Sequence, residues 1–131
     1  LVFICSPGDD EEISACDAAS IAYPGAAMVI HIDREAGPGD FARKINLACN
    51  FTSDPWLFQA ADDVRFEPGW DVALMECAER TGALVIGTDH GGNPTVRAGR
   101  HSTHPLVHRD YLECGTVDQE GVILCPLYGH W

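Results

Sequence analysis

Two adjacent carboxylates, Asp62 and Asp63, follow the apolar run 56–61, and a Pro68-Gly69 turn comes shortly after them. Neighbouring acids repel one another unless a positive charge sits between them, and a divalent cation is the usual one. Run 56–61 reads as a buried strand, and the carboxyl end of such a strand is where open α/β sheets bind ligands. The expectation is a metal-assisted site for a phosphate-bearing substrate, with Trp70 as a wall of its pocket. Mn²⁺ or Mg²⁺ suits carboxylate oxygens and offsets charge building on a leaving group. The plainer reading is a pair of acids in a solvated loop.

Three other groups carry possible chemistry. Arg43, Lys44 and Asn46 follow the glycine-rich stretch 37–39, where a cation could neutralise a substrate's negative charge or simply lie on a solvated helix face. His101, His104 and His108 form a dense cluster that, with Cys114, invites a zinc reading. Pro105 interrupts any helix there, and the spacing matches no structural zinc motif. A loop that offers polar groups to a substrate and a histidine that is simply exposed are the alternatives. His130 could add a nitrogen ligand to the metal of the aspartates. The sequence contains no Gly-x-Ser-x-Gly, no P-loop and no dinucleotide glycine fingerprint, so serine-nucleophile and P-loop chemistry are unsupported.

Twenty acids against eight Lys and Arg give a net charge of -12 over 131 residues. Such a chain lacks the basic footprint of a nucleic-acid or anionic-membrane binder, and an anionic substrate would need a metal or a local basic pocket. No apolar run approaches the roughly 20 residues that span a bilayer. The apolar fraction of 46% is that of a globular domain, read here as one unit over residues 1–131. Six scattered cysteines, at 5, 16, 49, 77, 114 and 125, are expected to be reduced and mostly buried thiols in a cytoplasmic protein. The chain starts inside an apolar strand and stops at Trp131, which reads as an excerpt from a longer polypeptide.

The elements that would position these groups alternate. Residues 1–5 read as a strand buried on both faces, 9–19 as a helix with acids in its first turn, and 27–32 as a second strand. Asp40 is a good N-cap for a helix to about residue 52. The strand at 56–61 is followed by a helix over 71–81, its stripe marked by Val72, Met75 and Ala78 or Glu79, with Gly82 as its C-cap. Residues 83–87 form a further buried strand that ends in Thr88, Asp89 and His90. Beyond Gly91 the pattern weakens to short strands at 96–100, 105–108 and 122–124 and a short helix at 109–114. The alternation argues an α/β fold, a parallel or mixed sheet with helices on both faces.

With these pieces in order, the chain resembles a GT-A glycosyltransferase of the family 2 type, nearest to small bacteriophage-encoded members. The stretches that carry the likeness are 39–46, 55–70, 87–94 and 101–107, of which 55–70 is the specific one. The resemblance implies a Rossmann-like mixed sheet, a nucleotide-diphosphate-sugar donor, a hydroxyl acceptor and Mn²⁺ or Mg²⁺. By that likeness Asp63 would ligate the metal with His130, and Asp62 would contact donor ribose or metal. Lys44 and Asn46 would lie in the donor pocket, and Asp9 would reach the nucleobase. Asp89 would act at the reacting sugar or acceptor, with residues 101–104 facing the same groups.

Two departures stand beside the likeness. The family's fuller pattern has an acid two residues before the Asp pair, where this chain has Ala60. The family's first strand should also precede Leu1, and the segment with the catalytic base of inverting members should follow Trp131. A second class of function is therefore a non-catalytic nucleotide-sugar or glycan-binding module with the same fold. A third is a small metal-binding protein that uses its histidines.

Overall fold

The computed structural model describes residues 1–33, 37, 39–61, 64–88, 92–100 and 102–111, which form a mixed α/β arrangement of small sheets and helices. They separate into two compact units, Leu1–Ser53 and the residues from Asp54 onward. No helix among the described residues is long and apolar enough to cross a membrane.

In the first unit, β1 (Val2–Cys5) pairs in parallel with β2 (Met28–His31), Val2 level with Met28 and Cys5 level with His31. Parallel neighbours need a crossover, and α1 (Asp10–Ala22) supplies it. Asp9 caps α1 by accepting a hydrogen bond from the Glu12 amide at 2.9 Å, and Asp10, Glu11 and Glu12 occupy the first turn, where the helix dipole favours acids. Helix α1 runs to Ala22, beyond the expected end at residue 19, before Pro24 and Gly25 turn the chain. Of β1 only Cys5 is buried, so the expectation of a strand covered on both faces does not hold for the described residues.

Cys5 at the end of β1 and Cys16 on α1 meet as buried thiols. Burial, reinforced by the hydrogen-bonded Cys5 thiol and by the charges of Glu12 and Asp17, pushes the Cys16 thiol up from 9.0 to about 11. Cys5, Cys16, Cys49 and Cys77 are free thiols. His31 Nε2 lies 3.2 Å from Asp17 Oδ1, which ties the end of β2 to α1 at the surface.

The unit's second helix, α2 (Asp40–Cys49), buries Asp40, Ala42 and Cys49. Its N-cap is Gly39, held at φ 73° in the left-handed region that glycine adopts without strain. Asp40, expected as the cap, is instead the first helical residue. A carboxylate there still meets the positive end of the dipole, but its side chain is turned to the Lys44 ammonium one turn on, at 3.5 Å.

In the second unit, β3 (Trp56–Phe58), β4 (Val85–Ile86) and β5 (Leu106–His108) form a sheet in the order β3-β5-β4. β5 runs antiparallel to both neighbours, so β3 and β4 point the same way and their carboxyl ends share one edge. All three are shorter than the runs 56–61, 83–87 and 105–108 led one to expect. Val85, expected inside, is 41% exposed on an outer strand.

Helix α3 (Trp70–Thr81) connects β3 to β4, starting after Gly69 and ending at Gly82, whose φ of 64° and amide bond to Ala78 give the expected C-cap. Its inward stripe is Leu74, Met75, Cys77 and Ala78, packed with Ile86, Leu106, Trp56, Phe58 and Ala83. Val72, expected on that stripe, faces out at 56% exposed. A strand expected at 96–100 is instead the short helix α4 (Pro94–Arg97). The Asn93 side chain caps it at the Thr95 amide, and Pro94 at its start needs no hydrogen-bond partner. The helix and strand expected at 109–114 and 122–124 lie, from residue 112 on, outside the described residues.

Candidate functional site

The shared edge at the carboxyl ends of β3 and β4 gathers the polar groups of the second unit. Thr88, two residues past β4, reaches across to the segment that enters β5. Its hydroxyl donates to the His104 carbonyl at 2.9 Å, and its amide donates to Ser102 Oγ at 3.1 Å. Gly87 makes that approach possible, because a Cβ at this position would come within 3.1 Å of the Ser102 side chain. Residues 102–104 are thereby fixed against the end of β4.

Among the described residues, three side-chain atoms at this edge are buried without a hydrogen-bond partner: Gln59 Oε1, Thr103 Oγ1 and His104 Nδ1. Gln59, immediately after β3, is only 9% exposed. Buried polar groups are nearly always satisfied, and an orphaned one costs about 1–3 kcal/mol, so a cluster of them is informative. Of the three residues only His104 is a sequence-derived candidate. Thr103 lies in the stretch 101–104 expected to face the sugar or acceptor, whereas Gln59 was missed, although a lone amide within the apolar run 56–61 is a visible signal.

Trp70, the first residue of α3, lies with its ring 4.7 Å from Phe58 and 4.4 Å from Phe66. That aromatic group seats the start of α3 against β3 and anchors the chain just beyond the Asp62-Asp63 position. His108 packs edge-on to Trp56 at 4.7 Å, and its Nδ1 lies 3.4 Å from Asp110 Oδ2.

The remaining described candidates belong to the first unit. Asp9 is exposed and engaged as the α1 cap. Lys44 is committed to Asp40, and Asn46 is half-buried on α2. Asp62, Asp63, Asp89, His101 and His130 lie outside the described residues. Among the described residues no three His, Cys, Asp or Glu side chains are grouped so as to hold a metal ion. The chain matches no family model, no curated protein and no solved structure.

Proposed function

We propose that the chain is the core of a metal-dependent glycosyltransferase of the GT-A type, which takes a nucleotide-diphosphate sugar as donor and a hydroxyl as acceptor. The observation that carries this reading is the edge where the parallel strands β3 and β4 end, with antiparallel β5 between them and three orphaned polar atoms beside it. Both ladders of this sheet are antiparallel, and the end that collects the carboxyl termini of β3 and β4 is where the reading puts the donor. By chain position Asp62 and Asp63 follow β3, and Asp89 follows β4.

In this reading Asp63 and His130 hold Mn²⁺ or Mg²⁺, and Asp62 contacts the donor ribose or the metal. The ion, when bound, supplies positive charge that offsets the diphosphate leaving group. The chain's own residues bind and orient. Residues 102–104, fixed by Thr88, present polar atoms to the sugar, and Asp89 faces the reacting sugar or acceptor. A non-catalytic donor-binding module is the second reading, favoured by Ala60 in place of the family's acid.

Calorimetry with UDP- and GDP-sugars, with and without Mn²⁺, tests the proposal. Metal-dependent binding that Asp63→Ala abolishes is the expected result, and binding of no nucleotide sugar would sink both readings. Turnover of a bound donor by the chain, or by a longer one that contains it, separates transferase from binding module.

A further inference from the structure

We propose that Gln59, together with Thr103, is a specificity residue that accepts and donates hydrogen bonds to hydroxyl groups of a neutral polyhydroxylated ligand. The inference rests on the reading above, in which that ligand is the donor's sugar rather than its diphosphate. Phe58 and Leu106 are the last paired residues of β3 and β5 at this end. Gln59 comes one residue after that pair and His104 two residues before it, so Gln59, Thr103 and His104 belong to the same end of the sheet.

A slack loop does not account for the orphans. The backbone of residue 104 and the side chain of Ser102 are both bonded to Thr88, yet the buried Thr103 Oγ1 and His104 Nδ1 between and beside those ties find no partner. Nor does the strand require an amide at position 59. Trp56, Leu57, Phe58, Ala60 and Ala61 are all apolar, and leucine would fill the position without leaving an unsatisfied group.

The chemistry of the three atoms selects the ligand. An amide oxygen only accepts, a threonine hydroxyl both accepts and donates, and a histidine Nδ1 does one or the other by tautomer. Gln59 Oε1 therefore repels a phosphate oxygen and welcomes an O–H donor. None of these groups carries a fixed positive charge, so the cluster offers a diphosphate no charge compensation and suits neutral hydroxyls better. A site built to hydrogen-bond a substrate hydroxyl also rejects analogues that lack it, because its buried groups then stay unpaired.

The experiment compares UDP with UDP-glucose and UDP-N-acetylglucosamine, and GDP with GDP-mannose, by calorimetry in Mn²⁺ on the intact chain and on Gln59→Leu. The expected result is a Kd for the bare nucleotide within about twofold of the parent's and a loss of about tenfold for the sugar nucleotide, the worth of one net hydrogen bond. The melting temperature should stay level or rise, since the substitution removes an orphaned acceptor. Thr103→Val, which keeps the side chain's shape, should reproduce the selective loss if Gln59→Leu fails to fold. Equal losses for bare and sugar nucleotides, or no loss for either, would overturn the inference and leave the donor reading standing. A stabilised Gln59→Leu with unchanged sugar affinity would assign the orphaned oxygen to a trapped water and overturn it as well. Failure of the parent chain to bind any nucleotide would instead remove the donor reading, and the inference with it.

Discussion

The hydroxyl of Thr88 donates to the backbone carbonyl of His104 at 2.9 Å, and this bond joins the exit of β4 to the entrance of β5. The Thr88 amide reaches Ser102 Oγ in the same span, so one residue holds the segment from two sides. Thr88→Val removes the hydroxyl, keeps the shape and leaves the carbonyl without this donor. The expected cost is about 0.5–1.5 kcal/mol in a urea unfolding experiment. If residues 102–104 contact the donor sugar, the same variant weakens sugar-nucleotide binding while bare nucleotide binding is retained.

Lys44 offers a contrasting test, because its ammonium already has a partner. Asp40 is 5% exposed, and the Lys44 Nζ lies 3.5 Å from its Oδ2. Lys44→Met leaves that buried carboxylate without this cation and should destabilise the chain by about 1–3 kcal/mol. Asp40→Asn combined with Lys44→Met should recover most of the loss, since no uncompensated charge then remains. Denaturant midpoints of the two single variants and the double variant give the coupling directly. Additivity would show that the pair contributes nothing.

The buried thiol of Cys16 predicts an alkaline weakness. The folded chain holds the Cys16 proton up to about 11, whereas an exposed thiol starts from 9.0. Below pH 9 both states are protonated and this contribution is complete. As pH rises from 9 to 11 the unfolded chain releases its proton first, so stability falls, by roughly 2–3 kcal/mol at the upper end. Stability measured at several pH values across this window should decline more steeply for the parent than for Cys16→Ser. Parallel curves would assign the alkaline loss to other groups.

Leu106 is the buried residue of β5 that meets Ala78 of α3 and Ile86 of β4. Leu106→Ala should cost about 2–5 kcal/mol, measured by thermal or urea unfolding. Val72→Ala, two residues into α3 but exposed, should change stability by no more than about 0.5 kcal/mol. Similar losses in the two variants would contradict the inward stripe drawn for α3.

Elements with strong local signals were legible in the sequence. The first-turn acids of α1, the glycine after α3 and the apolar runs of β1, β2 and β3 all sit where residue type and spacing put them. The misreadings came where two local rules competed. Asp40 is an excellent capping residue, but Gly39 in a left-handed conformation took that place and released Asp40 to pair with Lys44. Val96 lies in a strand-like run, but Asn93-Pro94 just before it is a helix start, and the helix won. Val72 fits a helical stripe as well as Leu74 does, and only the position of the sheet decides which of them is covered. Of the candidate site, the presence of a strand was readable from the apolar run 56–61, although β3 itself stops at Phe58. The polar edge made by Gln59, Thr88 and residues 102–104 was not, because it depends on β5 returning between β3 and β4, a pairing no local pattern encodes.

That return also governs how the second unit can come into being. Of the described strands in this sheet, the last in the chain stands in the middle, so Trp56 waits for His108, and Val85 for Val107, before either finds this ladder partner. No neighbouring pair in this sheet is a hairpin that could close early as a local nucleus. Its assembly is a late, long-loop event, slow for the same entropic reason that all non-local pairing is slow. On a translating ribosome β3 and β4 emerge without the partner that joins them among the described residues, until β5 has left the exit tunnel. Synthesis halted short of Leu106 would thus yield no partial sheet, and a peptide carrying residues 102–111 is the piece whose addition would be needed to complete it.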